Sequence, residues 1–124
     1  MKVKQILAIN ELSKEIHQVN LDAGWWTDLD TGLKKDRNVG ELLCLIHSEV
    51  SEAMEGYRKN LMDDKLPNRK MFEVELADTL IRIFDLAGAH NLDLGGAMQE
   101  KMAFNKIRED HKLENRKKDD GKKF

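Results

Sequence analysis

The chain has 124 residues, with a single cysteine, Cys44, and a single proline, Pro67. One thiol permits no intrachain disulfide and no cysteine-rich zinc site, so the default setting is a reducing, intracellular one. Aromatic residues are scarce at 6%, and only Trp25 and Trp26 stand side by side. No apolar run exceeds Leu42 to Ile46, far short of what a membrane span needs. The opening residues, MKVKQILAINELSKE, turn polar too soon for a secretory signal. An excess of charge of one sign is also missing. The 21 Lys and Arg against 23 Asp and Glu leave a net charge of −2, which gives no global pull toward nucleic acid or anionic membrane. These absences point to a cytoplasmic protein, or to phage-encoded cargo acting in a host cytoplasm.

What is present is helical periodicity. Apolar residues make up 40% and charged residues 35%, a mix that supports one modest core and leaves room for further burial by oligomerisation. Ile6, Ile9, Leu12, Ile16 and Val19 step by three and four, which predicts a helix over residues 3–21 that stops at Gly24. A polar loop, WWTDLDTGLKKDRN, follows. A second helix is expected over 39–59, with Leu42, Leu43, Ile46, Val50, Ala53, Met54 and Tyr57 on its apolar face. A charged loop containing Pro67 precedes a third helix over 69–90, which is apolar around most of its circumference and therefore reads as central. Asp93 is a good N-cap for a fourth helix over 94–108. The fold class is all-α, a four-helix bundle over residues 1–110 completed by oligomerisation. Residues 111–124 form a charged tail that cannot bury enough surface to fold alone and is expected to be mobile or ordered by a partner. Cys44 is expected to be a small buried residue, and most of the methionines core or interface filler.

The acidic residues stand out against this background. Glu49 and Glu52, three apart, project from neighbouring positions on the second helix. At helical pitch Glu49 falls within about 20° of Leu42 and about 40° of Ala53, so it borders the core. On the third helix Glu75, Asp78, Arg82 and Asp85 share a stripe roughly 80° wide, flanked by apolar positions. Two like charges 4 Å apart repel by about 4 kcal/mol at an effective dielectric of 20, so converging carboxylates strain a fold or take up protons. A hard divalent cation with oxygen ligands removes that conflict, and magnesium in particular shares its coordination sphere with phosphates. A solvated pair with Glu55 accounts for Glu52 equally well, and an i,i+4 pair with Arg82 accounts for Asp78. His47 forms no ExxH pair with these acids, so a ferritin-like di-iron site lacks its histidines.

The order Glu49-Val50-Ser51-Glu52, a spacer, then Glu75-Leu76-Ala77-Asp78 resembles the ExxE…ExxD pattern of the all-α nucleoside triphosphate pyrophosphatases. The similarity is to the MazG-like branch, including its phage members and the related dCTP pyrophosphatases. The surrounding LLCLIHSEVSEAMEGYRK and ELADTLIRIFDLA share it, and it spans about Ile6 to Arg108. The resemblance implies a Mg2+-dependent enzyme, with Mn2+ as a substitute, that cleaves a nucleoside triphosphate between its α and β phosphates. Glu49, Glu52, Glu75 and Asp78 would hold the metal, and Glu52 would orient the attacking water. Lys101, Asn105 and Arg108 lie on one arc of about 60° on the fourth helix. A similar run in the family implies a grip on phosphate and sugar, while a solvated basic face is the plainer reading. Arg58 and Lys59 are within reach of phosphates or simply solvated. Of the two tryptophans at least one packs and the other is free to stack on a base. Trp26 and His17 match the positions that dCTP-specific relatives use. The resemblance further implies a homodimer or dimer-of-dimers tetramer. Two alternatives stand beside it: a non-catalytic helical module that binds nucleotide or protein, and a pyrophosphohydrolase acting on guanosine polyphosphates.

Overall fold

The computed structural model describes residues 1–124 and is all-helical. The helices are α1 (Val3–Asp22), α2 (Val39–Arg58), α3 (Met71–Ala89) and α4 (Leu94–Ile107), then a 3₁₀ turn (Glu109–His111) and a short α5 (Leu113–Arg116). No strand forms; Thr27 with Lys34 and Met62 with Lys70 make isolated antiparallel bridges in the two long loops. No helix is long and apolar enough to cross a membrane.

Local chemistry sets the helix ends. Gly24 adopts φ +87°, a left-handed conformation that costs glycine little, and it ends α1. The Asn38 side chain accepts from the Glu41 amide at 3.0 Å and caps α2; the Asp93 side chain caps α4 through the Gly96 amide at 2.9 Å. Asn60 and Asn91, both at φ 50°, turn the chain after α2 and α3.

The chain divides into two compact units, one of Glu11–Leu92 and one of Met1–Asn10 with Asp93–Phe124. In the first, the end of α2 meets the start of α3: a Cβ on Gly56 would lie 2.7 Å from Met71 Cγ, and the Tyr57 and Phe72 rings are 5.2 Å apart. Glu49, further back on α2, meets Arg82, further along α3. The two helices therefore run antiparallel. Trp26, Leu42, Ala53 and Ala87 are the buried apolar residues. Leu43, Val50, Met54, Tyr57, Phe72, Leu76, Leu80 and Ile81 remain exposed, so only part of the apolar surface of α2 and α3 is covered within the chain. Cys44 is exposed too, contrary to the burial expected of it: it follows Leu43 on the uncovered side of α2.

Helix α1 approaches α3 at Gly88. A Cβ there would run into the Ser13 carbonyl oxygen and lie 2.6 Å from His17 Cβ. Gly88→Ala gains about 1 kcal/mol of helix propensity, yet wedging a methyl against a backbone carbonyl costs roughly 1–3 kcal/mol. A lower melting temperature is expected, and calorimetry showing an unchanged or higher one would count against this packing.

In the second unit Gly95 lets α4 close on Ile6, and Asn10 bridges Asp93 Oδ1 at 2.7 Å and the Gly95 amide at 2.9 Å. The charged tail folds on itself: Asp110 accepts from Arg108 at 2.8 Å and from Lys122 at 2.9 Å, and Arg116 donates to the carbonyls of Lys122 and Lys123.

Candidate active site

Antiparallel packing of α2 on α3 brings acids from both helices together. Glu49, Glu52 and Glu75 each offer a carboxylate oxygen, all within 4.8 Å of one another. Their surroundings differ. Glu52 is exposed, Glu49 is mostly covered, and Glu75 is buried with 8% of its surface accessible. The Oε2 atom of Glu75 is buried and has no hydrogen-bond partner. Such an atom forfeits water without compensation, a cost that a folded chain seldom tolerates without a reason.

The electrostatics follow from that placement. Burial, then the contact with Glu49 and the charge of Glu52, pushes the Glu75 carboxyl up to about 8. Burial is the largest influence on Glu49 and works to raise it, but the hydrogen bond and charge of Arg82, with the contacts from Glu75 and Glu52, together outweigh it and the carboxyl lies below its ordinary value. Asp78 stands beside the triad and is pushed up by burial and by the charge of Glu49. Arg82 makes its hydrogen bond across the helix pair, Nε to Glu49 Oε1 at 2.8 Å, instead of the i,i+4 pair with Asp78 that the spacing allows.

Two cavities meet at these acids. One, of about 640 Å³, is lined by Glu49, Glu52, Glu75 and Asp78 and by the loop from Leu61 to Leu66. Asp63 holds that loop, its buried carboxylate accepting from the Lys65 and Leu66 amides at 3.0 and 2.7 Å. The other, of about 360 Å³, shares Glu49 and Asp78 and extends to Asn20, Trp25, Trp26, Arg37, Arg82 and Asp85.

Asp85, the last acid on the α3 stripe, builds the wall of the second cavity. It is buried, accepts from Trp26 Nε1 at 3.0 and 3.2 Å, and lies 2.8 Å from His17 Nδ1, which donates to the carboxylate. The His17 ring meets Trp26 edge-on at 5.2 Å, and the Arg37 guanidinium sits 5.1 Å from the Trp26 centroid. Trp26 is thus the packed member of the pair, with 5% of its surface exposed, and Trp25 the open one at 64%.

The remaining candidates lie elsewhere. Lys59 donates to Glu55 at 2.6 Å, and Arg58 is 3.8 Å from the same acid. Lys101, Asn105 and Arg108 belong to the second compact unit. There Arg108 is held by Asp110, Lys101 lies 5.1 Å from the Phe104 ring, and Asn105 Oδ1 is buried without a partner. The sequence offered Arg82 only as an i,i+4 partner of Asp78 and gave no role to Asp85 or Arg37. For the first two the signal was present, since they share the narrow stripe of Glu75 and Asp78. Arg37, in a long loop, carried none.

The donor set fits a hard divalent cation. It is all oxygen, it converges from two helices, and one of its residues, Glu75, has a buried carboxylate oxygen with no hydrogen-bond partner. Comparison with family models, with curated proteins and with solved structures returns no match to the chain.

Proposed function

We propose that the chain is a divalent-cation-dependent nucleoside triphosphate pyrophosphohydrolase of the MazG-like kind, releasing pyrophosphate and a nucleoside monophosphate. The observation that carries the reading is the convergence of Glu49, Glu52 and Glu75 across the α2–α3 pair, with one buried Glu75 oxygen left without a hydrogen-bond partner. Glu49, Glu52 and Glu75, with Asp78 alongside, would hold Mg2+ or Mn2+. The cation would supply charge neutralisation on the phosphates and lower the barrier to water ionisation.

The chain's own residues do the rest. Glu52, the exposed member, takes the proton of a water whose oxygen attacks the α phosphorus. The bond from that phosphorus to the oxygen bridging the β phosphate breaks, and pyrophosphate leaves with that oxygen. The cavity of about 360 Å³ is of the size small-ligand sites show and suits a nucleoside, with Trp25, Trp26 and Asn20 on its walls. Asp85 fixes Trp26 and His17, so that wall does not have to be ordered by substrate. A base stacked on Trp26 would have to displace Arg37, whereas Trp25 offers an open face. The part played by Lys101, Asn105 and Arg108 in gripping phosphates rests on the resemblance alone. The exposed apolar side chains of α2 and α3 support a homodimer or dimer-of-dimers tetramer, with a second copy covering them.

The test is a panel of deoxynucleoside and ribonucleoside triphosphates and guanosine polyphosphates with Mg2+, scored for pyrophosphate against orthophosphate. Release of pyrophosphate from at least one triphosphate, abolished by EDTA, is the expected result. Activity on guanosine polyphosphates alone would move the substrate class. No turnover of any member would leave a non-catalytic module.

A further inference from the structure

Arg82 touches the acid cluster and the nucleoside-sized cavity at once. Its Nε donates to Glu49 Oε1 at 2.8 Å, and the same residue lines the cavity of about 360 Å³ with Arg37, Trp25 and Trp26. A guanidinium has five N–H donors in a fixed fork, and Arg82 uses only the one at Nε; its Nη groups make no hydrogen bond within the chain. The Arg82 side chain is 38% exposed against 12% for Glu49, so solvent screening discounts the pair at the guanidinium end. Structural support through Nε leaves the Nη donors without a use within the chain.

Its position has a second consequence. The carboxylate that Arg82 contacts belongs to the triad whose oxygens converge within 4.8 Å. A guanidinium and a divalent cation at one carboxylate repel each other, so each weakens the hold of the other. The planar fork is, by contrast, well matched to phosphate oxygens.

We propose that Arg82 is an exchangeable counter-ion: it holds Glu49, yields it when a divalent cation is bound by the triad, and then offers its guanidinium to the phosphates of a nucleotide in the adjoining cavity. The proposal rests on the pyrophosphohydrolase reading and adds to it a phosphate contact from α3, within the same compact unit as the acids. It also couples the two ligands. A phosphate that draws Arg82 off Glu49 favours cation binding, and by linkage the cation favours phosphate to the same degree.

The experiment uses the full chain as wild type, Arg82→Gln and Arg82→Lys, with thermal melts confirming that each variant is folded. Mn2+ is titrated alone, followed by inorganic pyrophosphate at saturating Mg2+. Arg82→Gln is expected to bind Mn2+ about fivefold more tightly, the direction Coulomb's law gives for removing a neighbouring positive charge. It should bind pyrophosphate roughly tenfold or more weakly, as the loss of a charge-assisted contact implies. Arg82→Lys keeps the charge, so its Mn2+ affinity should stay close to that of the wild type while pyrophosphate binding weakens through loss of the fork. A merely structural role would weaken both ligands together in Arg82→Gln, and that outcome overturns the proposal. Unchanged pyrophosphate binding overturns it as well. Both results leave the pyrophosphohydrolase reading standing if the wild type still releases pyrophosphate from nucleotides. A wild type that binds no Mn2+ removes that reading and this inference with it.

Discussion

Glu75→Gln is expected to cut the proposed pyrophosphate release by on the order of 10³-fold while raising the melting temperature. The two effects share one cause. Glu75 is the buried member of the triad, and its Oε2 has no protein partner, so in the proposed enzyme its charge serves the cation alone. An amide of the same shape keeps the packing and removes the charge. If the cation supplies several kcal/mol of transition-state stabilisation, losing a ligand of this kind lowers kcat/KM by on the order of 10³-fold. The fold gains for the same reason. Near neutral pH the native chain keeps Glu75 protonated, because its carboxyl is pushed up to about 8, whereas the unfolded chain ionises it freely. Folding must then take up a proton against the bulk pH, and glutamine has none to take up. Glu49→Gln should show the activity loss without the gain, since an amide oxygen still accepts from Arg82 but the charge that strengthens that contact is gone. Steady-state assays and calorimetry on the same preparations decide the matter. Retained activity in both variants removes the acid cluster from the chemistry, and a Glu75→Gln protein that melts lower than the wild type removes the strain argument.

The helices were largely legible in the sequence because period and punctuation agree. Gly24 and Asp93 act as the stop and the cap that their types suggest, and the expected bounds of α1 to α4 fall within two residues of the observed ones. The convergence of Glu49, Glu52 and Glu75 follows from two ExxE/D spacings on consecutive helices that pack antiparallel, since a reversal of direction leaves few ways for those faces to avoid each other. What was not legible depends on which neighbour wins. Spacing alone offers Arg82 to Asp78 at i,i+4; the fold gives it to Glu49, because the packed helix pair places that carboxylate within 2.8 Å. The same holds for Asp85, whose partners Trp26 and His17 come from residues 59 and 68 positions away in the chain. The tryptophan pair shows the limit most clearly. Adjacent identical residues carry no local signal of which is packed, and only the buried carboxylate of Asp85 selects Trp26 and leaves Trp25 open. Exposed Cys44 is a lesson of the same kind, since an apolar helix run has two sides and the chain covers only one of them.

The chain should become less stable as the pH rises from about 5 to about 8, and divalent cation should reverse the trend. The Glu75 carboxyl ordinarily titrates at 4.5 but keeps its proton in the fold to about 8. Between those values the unfolded chain binds fewer protons than the native one, so stability is fully present below the lower value and is lost toward the upper. The slope is at most about 1.4 kcal/mol per pH unit for one such group. Asp78, also raised by burial and the charge of Glu49, adds to the loss above its ordinary value. Glu49 acts in the opposite sense. Its lowered carboxyl stabilises the fold above its ordinary value, and that contribution fades as the pH falls through its folded one, which leaves the maximum in the mildly acidic range. A cation held by the triad requires Glu75 ionised, so it removes the penalty that grows with pH. At a hundredfold excess over its dissociation constant a ligand adds about 2.7 kcal/mol, and tighter binding at higher pH makes that excess easier to reach. Melting curves of the wild type in EDTA should therefore fall across this range, the shift on adding Mn2+ should be larger near pH 8 than near pH 6, and Glu75→Gln should flatten both responses. Equal Mn2+ shifts at the two pH values would mean that the cation does not compete with the proton on Glu75. The unpartnered buried oxygen of Glu75 would then have no cation to account for it.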